Sequence, residues 1–354
     1  MLAAVYHGPR DMRVEEVAAP VIRPGEVLLK VAGAGICGTD LRILNGGHRM
    51  YPAGTVRIPG HEVAGIVSQI GAEVKGIQPG QRMFVAPNMG CGHCRQCVRG
   101  NNNLCANYEA IGITMDGAFA EYVRLPQAAV MQGNLIPIDH QVDLAVAALI
   151  EPFACVLRGQ NAVQIHPGDI VLVMGAGPIG MMHLKLALLR GAGKVIVSEP
   201  NPSRLDQAKA AGATDGINPA GEDLVKAVQE ISHGQGADAI LVTAPAHQAQ
   251  EAALTLAAIG GRINFFGGLP KDHPTITFDS NLVHYKELIV TATTACSTAD
   301  CRQAAEIVNS GRLDLSDLIS ARLPLREAQA AFALAEDRKS LKIVLEPQAP
   351  QADP

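Results

Sequence analysis

Up to about residue 150 the apolar positions come in short runs broken by glycine and proline. "GEVLLKVAG" (25–33), "HEVAGIVSQIG" (61–71) and "GQRMFVAP" (80–87) read as strands bounded by turn residues. Such close spacing predicts a small, strand-rich, barrel-like domain. From His166 the texture changes. "DIVLVMG" is a buried strand, "PIGMMHLKLALLRGAG" a helix ending at glycine, and "KVIVSE" a second strand. The helix "PSRLDQAKAAGA" follows, then "DLVKAVQEISHG", the strand "ADAILVT", a helix over "QAQEAALTLAAIGG" and the strand "RINFFGG". Strand and helix units of this size imply an α/β fold with a doubly wound parallel sheet. Beyond about residue 290, "CRQAAEIVNSG" and "LREAQAAFALAED" are amphipathic helices and "LKIVLEP" a closing strand. Pattern alone leaves open whether this tail completes the first domain or extends the second. The end, "PQAPQADP", reads as a frayed terminus.

Composition sharpens the picture in three ways. A length of 354 residues calls for about two domains. With 48% hydrophobic and 18% charged residues the chain is globular, and with aromatics at 3% its interior is filled by Val, Ile, Leu and Ala. A net charge of -5 without any run of five basic residues argues against nucleic acid or an anionic membrane as partner. The start lacks the basic stretch and apolar core of a secretory signal, and no apolar run reaches the ~18 residues of a membrane helix. The expectation is a cytoplasmic protein, and in that reducing compartment clustered cysteines read as metal-binding or catalytic before they read as disulfides.

"VMGAGPIGMM" places Gly175, Gly177 and Gly180 in GxGxxG spacing between an apolar strand and a helix, with Pro178 and Ile179 completing the turn. Gly175 permits the tight turn, Gly177 lets a pyrophosphate approach the backbone, and Gly180 lets the helix pack on the strand. The helix N-terminus then offers free N–H groups to the phosphates. Glu199 ends the next strand, where a carboxylate can accept bonds from ribose hydroxyls and repel a 2′-phosphate, so NAD is expected over NADP. Arg204, five residues on, partly offsets that repulsion. The alternatives are a glycine turn in a nucleotide-free fold and a solvated surface acid.

Cys91, Cys94, Cys97 and Cys105 follow C-x2-C-x2-C-x7-C. Four thiolates so spaced can wrap one Zn²⁺ and leave no open position, so the predicted role is structural. Ferredoxin spacings differ, and a redox CxxC would leave two cysteines unexplained. His93 reads as an exposed loop residue. A more dispersed set comprises Cys37 in "GICGTDL", His61 and Glu62 in "IPGHEVAG", and Glu151 in "ALIEPFAC". A catalytic zinc needs about three such ligands and one open position. Neighbours on a regular strand point apart, so His61 and Glu62 share a metal only at an irregular turn, which Pro59 and Gly60 allow. Taken singly, each of these residues is more often structural than functional.

"PGEVLLKV", "GICGTDL", "PGHEVAGIV", the four-Cys lobe, "GAFAEY", "LIEP", "VMGAGPIG" and "VIVSEPNPSRL" occur in the order seen in the zinc-containing medium-chain dehydrogenases, which the chain resembles over about residues 1–347. Within that superfamily the glutamate of "LIEP" and "GTD" after Cys37 look most like the polyol (sorbitol or L-iditol) and L-threonine dehydrogenase branch. The resemblance implies a GroES-like catalytic domain over 1–152, a Rossmann NAD-binding domain over 153–290, and a return segment, 291–354, completing the first. It implies one catalytic zinc at Cys37, His61 and Glu151 with Glu62 beside it, one structural zinc at the lobe, NAD, and Thr39 as the hydroxyl that relays the substrate proton. A homo-oligomer, dimer or tetramer, with "ELIVTATTA" at a sheet edge is expected as well. The implied reaction is reversible oxidation of a secondary alcohol of a polyol or sugar alcohol, phosphorylated ones included, to a ketone. L-threonine 3-dehydrogenase and a catalytically silent zinc- and NAD-binding regulatory protein are the alternatives. Two positions depart from the pattern: Arg42 and Arg158 stand where many relatives carry histidine. The loop "NGGHRMYPAGTVR" (45–57) brings His48 and Tyr51 toward either substrate or solvent.

Overall fold

A computed structural model describes residues 1–337 and 339–347. Apart from Pro347, the terminal stretch read as frayed lies outside the described residues. The chain divides into two compact units, Met1–Ala154 with Cys296–Pro354, and Cys155–Ala295.

In the first unit, strand Val27–Gly35 lies at the centre of a seven-stranded sheet. It pairs antiparallel with Glu62–Ile70, Tyr122–Leu125 and Lys342–Glu346. Gly35 sits opposite both Glu62 and Val344, so the last strand of the chain arrives beside the start of the Glu62 strand. The core is built from Leu29, Val31, Val63, Phe119 and Phe332, the two phenylalanines packed edge to face at 5.7 Å. A hairpin, Leu2–Gly8 with Asp11–Glu16, escapes a reading by apolar runs, because its second strand, "DMRVEE", is largely charged.

In the second unit six strands run parallel in the spatial order Asp215–Ile217, Lys194–Ser198, Ile170–Met174, Ala237–Val242, Ala257–Phe265, Ile289–Ala292. The order turns outward in both directions from Ile170–Met174 and Ala237–Val242, which makes a crevice at the carboxyl ends of those two strands. Strand Ile170–Met174 is apolar throughout and buried over its last four residues, as a parallel sheet covered on both faces requires. Two details depart from the sequence reading. Strand Asp215–Ile217 is too short to show a period. The helix over "QAQEAALTLAAIGG" stops at Leu256, and Ala257 turns extended to begin strand Ala257–Phe265. Alanine favours helix, but pairing with Ala237 and burial of Ala257 and Ala258 override that preference. Among the described residues no helix is long and apolar enough to cross a membrane.

Candidate active site

Cys37 is the N-cap of helix Gly38–Leu44, where its N–H donates to Asp40 Oδ2 at 2.8 Å. Thr39 lies half-buried on the first turn of that helix. His61 falls just before strand Glu62–Ile70, after Gly60 at φ 98. A Cβ on Gly60 would meet Phe119 at 2.8 Å, so only glycine makes this turn. The irregular backbone lets neighbours that would diverge on a strand converge: donor atoms of Cys37, His61 and Glu62 all lie within 4.8 Å of one another. Gly35 completes the packing, since a Cβ there would fall 2.1 Å from Glu62 Oε2. Glu151 stands outside this trio, 7% exposed, with Oε1 3.5 Å from Cys296 Sγ. It is near enough that the charges of His61, Glu62 and Lys342 act on it.

Two residues that the sequence reading did not single out hold the trio in place. Asp40, fully buried, sets Oδ1 3.5 Å from His61 Nδ1. Lys342, 4% exposed, donates to both oxygens of Glu62. Burial pulls the His61 pKa down, but Asp40 and Cys37 outweigh it and hold the imidazole well above its usual range. Burial raises the Glu151 carboxyl, with His61 opposing and Glu62 reinforcing the rise. A cluster of thiol, imidazole and carboxyl groups under this strain is stabilised by a dication, and Cys, His and Glu are zinc ligands by type. The residues therefore fit a zinc ion.

The four cysteines of the lobe also converge within 4.8 Å. Cys94 Sγ is 3.5 Å from Cys97 Sγ and 3.8 Å from Cys105 Sγ. Sulfurs at about 2.3 Å from a central zinc form a tetrahedron with edges of about 3.8 Å, which these distances match. N–H groups of Cys91 and Cys94 donate to Cys105 and Cys91 sulfurs at 3.3 and 3.4 Å. The His93 and Cys94 N–H groups hold the Cys91 thiol down at about 6, whereas burial pushes Cys97 up to about 12. A bound dication keeps all four as thiolates. A Cβ on Gly90 would lie 2.4 Å from Cys97 Sγ, so the chain needs glycine there. His93 is exposed and faces the Cys91 carbonyl at 2.9 Å.

In the second unit Gly175, at φ 108, closes the turn after strand Ile170–Met174, and Gly177 is the N-cap of helix Pro178–Leu189, whose first two residues are Pro178 and Ile179. A Cβ on Gly180 would fall 1.8 Å from the Gly175 carbonyl oxygen, but on Gly177 it would meet only Arg204 Nη1 at 4.0 Å. Gly177 thus keeps an open cradle that a side chain would fill, as a pyrophosphate demands. Glu199, 6% exposed, accepts the Ala176 N–H at 2.7 Å and the Asn201 N–H at 3.0 Å. These bonds fix its carboxylate at the turn.

Elsewhere, Arg42 is exposed and Arg158 half-buried, and Tyr51 is buried with its hydroxyl on the Gly112 carbonyl at 2.8 Å and its ring under Arg57. Tyr51 therefore braces the 45–57 loop, and His48 is half-buried beside it.

A dinucleotide turn on a doubly wound sheet, with a buried Cys–His–Glu cluster and a closed thiolate lobe in a separate strand-rich unit, defines a metal-dependent dehydrogenase as the class. The comparisons agree. Residues 23–137 match the alcohol dehydrogenase GroES-like domain and residues 178–310 match zinc-binding dehydrogenase. Sorbitol dehydrogenase of Bacillus subtilis (strain 168) is 32% identical over 98% of this chain and 97% of its own. L-threonine 3-dehydrogenase of Pyrococcus horikoshii is 36% identical over 93% of each chain. A Sinorhizobium meliloti 1021 structure, described as a zinc-binding dehydrogenase bound to NADP, superposes with a TM-score of 0.90 at 32% identity, covering 98% of this chain and 99% of that one. The chain belongs to the zinc-containing medium-chain dehydrogenases, as a zinc-dependent, NAD(P)-linked oxidoreductase with a GroES-like and a Rossmann-like fold.

Proposed function

We propose that this enzyme reversibly oxidises a secondary alcohol of a polyol or sugar alcohol: R₂CHOH + NAD⁺ gives R₂C=O + NADH + H⁺. The observation that carries the reading is the convergence of Cys37, His61 and Glu62 within 4.8 Å, with Glu151 beside them. These residues would hold the zinc ion, which when bound supplies the Lewis acidity that lets a secondary hydroxyl ionise near neutral pH. Thr39, on the helix turn that follows Cys37, relays the hydroxyl proton, accepting it at its own oxygen while passing its own proton on to solvent as the H⁺ of the equation. Asp40 orients His61 through Nδ1 so that the other ring nitrogen is available for the metal. Lys342 balances the buried charge of Glu62. At the cofactor turn Gly177 admits the pyrophosphate, Glu199 accepts the ribose hydroxyls and disfavours a 2′-phosphate, and Arg204 lies alongside. The edge strand Ile289–Ala292 is the proposed contact between copies in a homo-oligomer.

The relative named sorbitol dehydrogenase and the "LIEP" glutamate support a polyol. L-threonine is the second reading, supported by the relative of that name at 36% identity. A screen of NAD reduction over polyols, polyol phosphates and L-threonine separates the two. A polyol or its phosphate should give the highest kcat/KM, and L-threonine in that place would overturn the polyol reading.

A further inference from the structure

Neither metal cluster accounts for Cys296 and Cys301, which are buried at 0% and 1% exposure where the chain re-enters the first unit. Cys296 Sγ lies 3.5 Å from Glu151 Oε1, 3.8 Å from the Glu151 carbonyl oxygen and 3.4 Å from Cys301 Sγ. Its carbonyl accepts the Asn88 side-chain amide at 2.8 Å, and the same amide reaches its sulfur at 3.8 Å.

Asn88 precedes the cysteine lobe and Asn102 lies within it, each three residues before one of its ligands, Cys91 and Cys105. Asn102 donates to the Asn88 carbonyl at 2.7 Å and to Thr298 Oγ1 at 3.1 Å, and accepts the Thr298 N–H at 3.0 Å. Tyr108 donates to Asn88 Oδ1 at 3.0 Å. The base of the lobe thus grips residues 296–298 through its own side chains, and the gripped cysteine rests on the Glu151 carboxylate.

We infer that Cys296 is a positioning residue for Glu151: its thiol donates to Oε1 and sets the carboxylate's orientation, and the lobe, through Asn88 and Asn102, sets Cys296. The inference rests on the reading of Glu151 as part of the catalytic zinc cluster. A buried carboxylate needs a partner to hold one orientation, and a thiol pinned on three sides supplies one even though sulfur is a weak donor. It also gives the lobe a task beyond closing its own loop, since a displaced lobe moves Asn88, then Cys296, then Glu151.

The test uses the zinc-loaded full chain and its cobalt(II) form, read by chelator competition and by the cobalt visible spectrum. Cys296→Ala should lose the weaker-held of the two metals to chelator about 10- to 100-fold more readily, the usual cost of removing a partner behind a metal ligand. The lobe metal should be retained and the cobalt bands shifted. Cys296→Ser, which keeps a donor, should stay within about threefold of wild type, and Cys296→Val fills the space without a donor should alanine fail to fold. Asn88→Ala should shift the same bands in the same direction, and the double variant should fall short of the sum of the two. Wild-type metal retention and spectrum in both Cys296→Ala and Cys296→Val would overturn the inference. So would loss of thiolate-to-cobalt charge-transfer intensity in Cys296→Ser, because Cys296 would then be a ligand. Glu151→Gln keeps the two ideas apart. If it leaves the metal unaffected, the reading of Glu151 fails; if it releases metal while Cys296→Ala does not, only the role of Cys296 fails.

Discussion

Lys342 gives its ammonium to both oxygens of Glu62, at 2.7 and 2.5 Å, and to the Ile36 carbonyl at 2.8 Å, joining two residues 280 positions apart in a pocket that exposes neither. All three protons of the lysine are thereby used. The same pocket holds Asp40, Glu151 and Cys37, so Lys342 is a cation within a cluster of acids. Zinc at Cys37 and His61 would be the second source of positive charge.

Removing one partner of a buried pair leaves the other uncompensated. Lys342→Met should therefore cost about 3–5 kcal/mol of unfolding free energy, read from urea midpoints, and Glu62→Gln combined with Lys342→Met should recover most of it. Burial alone would pull the Lys342 pKa down, but Glu62 and then Cys37 outweigh it, so it is raised. A raised lysine contributes stability that is complete below its unfolded pKa of about 10.4 and is lost only as pH climbs above that. The gap between wild type and Lys342→Met should accordingly stay flat from about pH 6 to 9, and a gap that closes within this window would mean the pair is not charged.

How much of this was legible in the sequence follows from how each site is built. The glycine turn and the cysteine lobe announce themselves because their parts are neighbours in the chain and the spacing carries the chemistry. Cys37, His61, Glu62 and Glu151 needed a resemblance to be gathered, because only the tertiary fold brings the first three together and sets Glu151 near them. Lys342 gave no signal: in "LKIVLEP" a lysine opening a strand reads as a solvated edge, and it is buried only because that strand inserts beside Val27–Gly35. Asp40 was in view within "GTDL", but its reach to His61 depends on the helix turn that starts at Cys37. Asn88 and Cys296 lie 208 positions apart, and no local pattern links them.

The two metal clusters should come apart by mutation. Cys37→Ser or His61→Ala should leave one zinc per chain by elemental analysis, cut turnover at least a thousandfold, about 4 kcal/mol of barrier, and leave cofactor binding intact. Cys94→Ser should instead lose the lobe metal and lower thermal stability first. Full activity with either Cys37→Ser or His61→Ala would remove that cluster from the chemistry.

Glu199 is held at the turn by the Ala176 and Asn201 N–H groups, so in the proposed reading its charge stands against an adenosine 2′-phosphate. Glu199→Ala should weaken NAD and shift the NAD to NADP ratio of kcat/KM toward NADP by about 10-fold or more, the size of one lost charged hydrogen bond. Arg204→Ala should lower any NADP activity that remains. An unchanged ratio in Glu199→Ala would place the discrimination elsewhere.

Strand Ile289–Ala292 closes one edge of the parallel sheet, with Ile289 54% exposed and Tyr285 nearby at 76%. An apolar edge of this kind is a template for pairing with another copy. Ile289→Lys should therefore reduce the mass seen by light scattering at micromolar concentration, whereas a wild-type chain that is already a monomer would rule the edge contact out.

His183 supplies an acid-sensitive element in the second unit. It is fully buried, edge-on to Phe266 at 5.0 Å and 3.4 Å from the Gln160 amide nitrogen. Burial, helped by the charge of Arg190, holds its pKa at about 3. In an unfolded chain the same imidazole titrates near 6.5. Above that pH both states are neutral and His183 costs nothing. As pH falls through the interval between about 6.5 and 3, the unfolded chain takes up a proton that the folded one refuses, and stability drops by up to about 1.4 kcal/mol per pH unit. His183→Leu removes that uptake. Its main-chain carbonyl still accepts the Gln160 amide at 2.7 Å, so the substitution removes only the longer 3.4 Å contact between that amide and the ring. Between pH 7 and 5, urea unfolding should show wild type losing about 2 kcal/mol more than His183→Leu, because every other acid group titrates alike in the two proteins. Parallel losses in the two would mean that His183 is protonated in the folded chain.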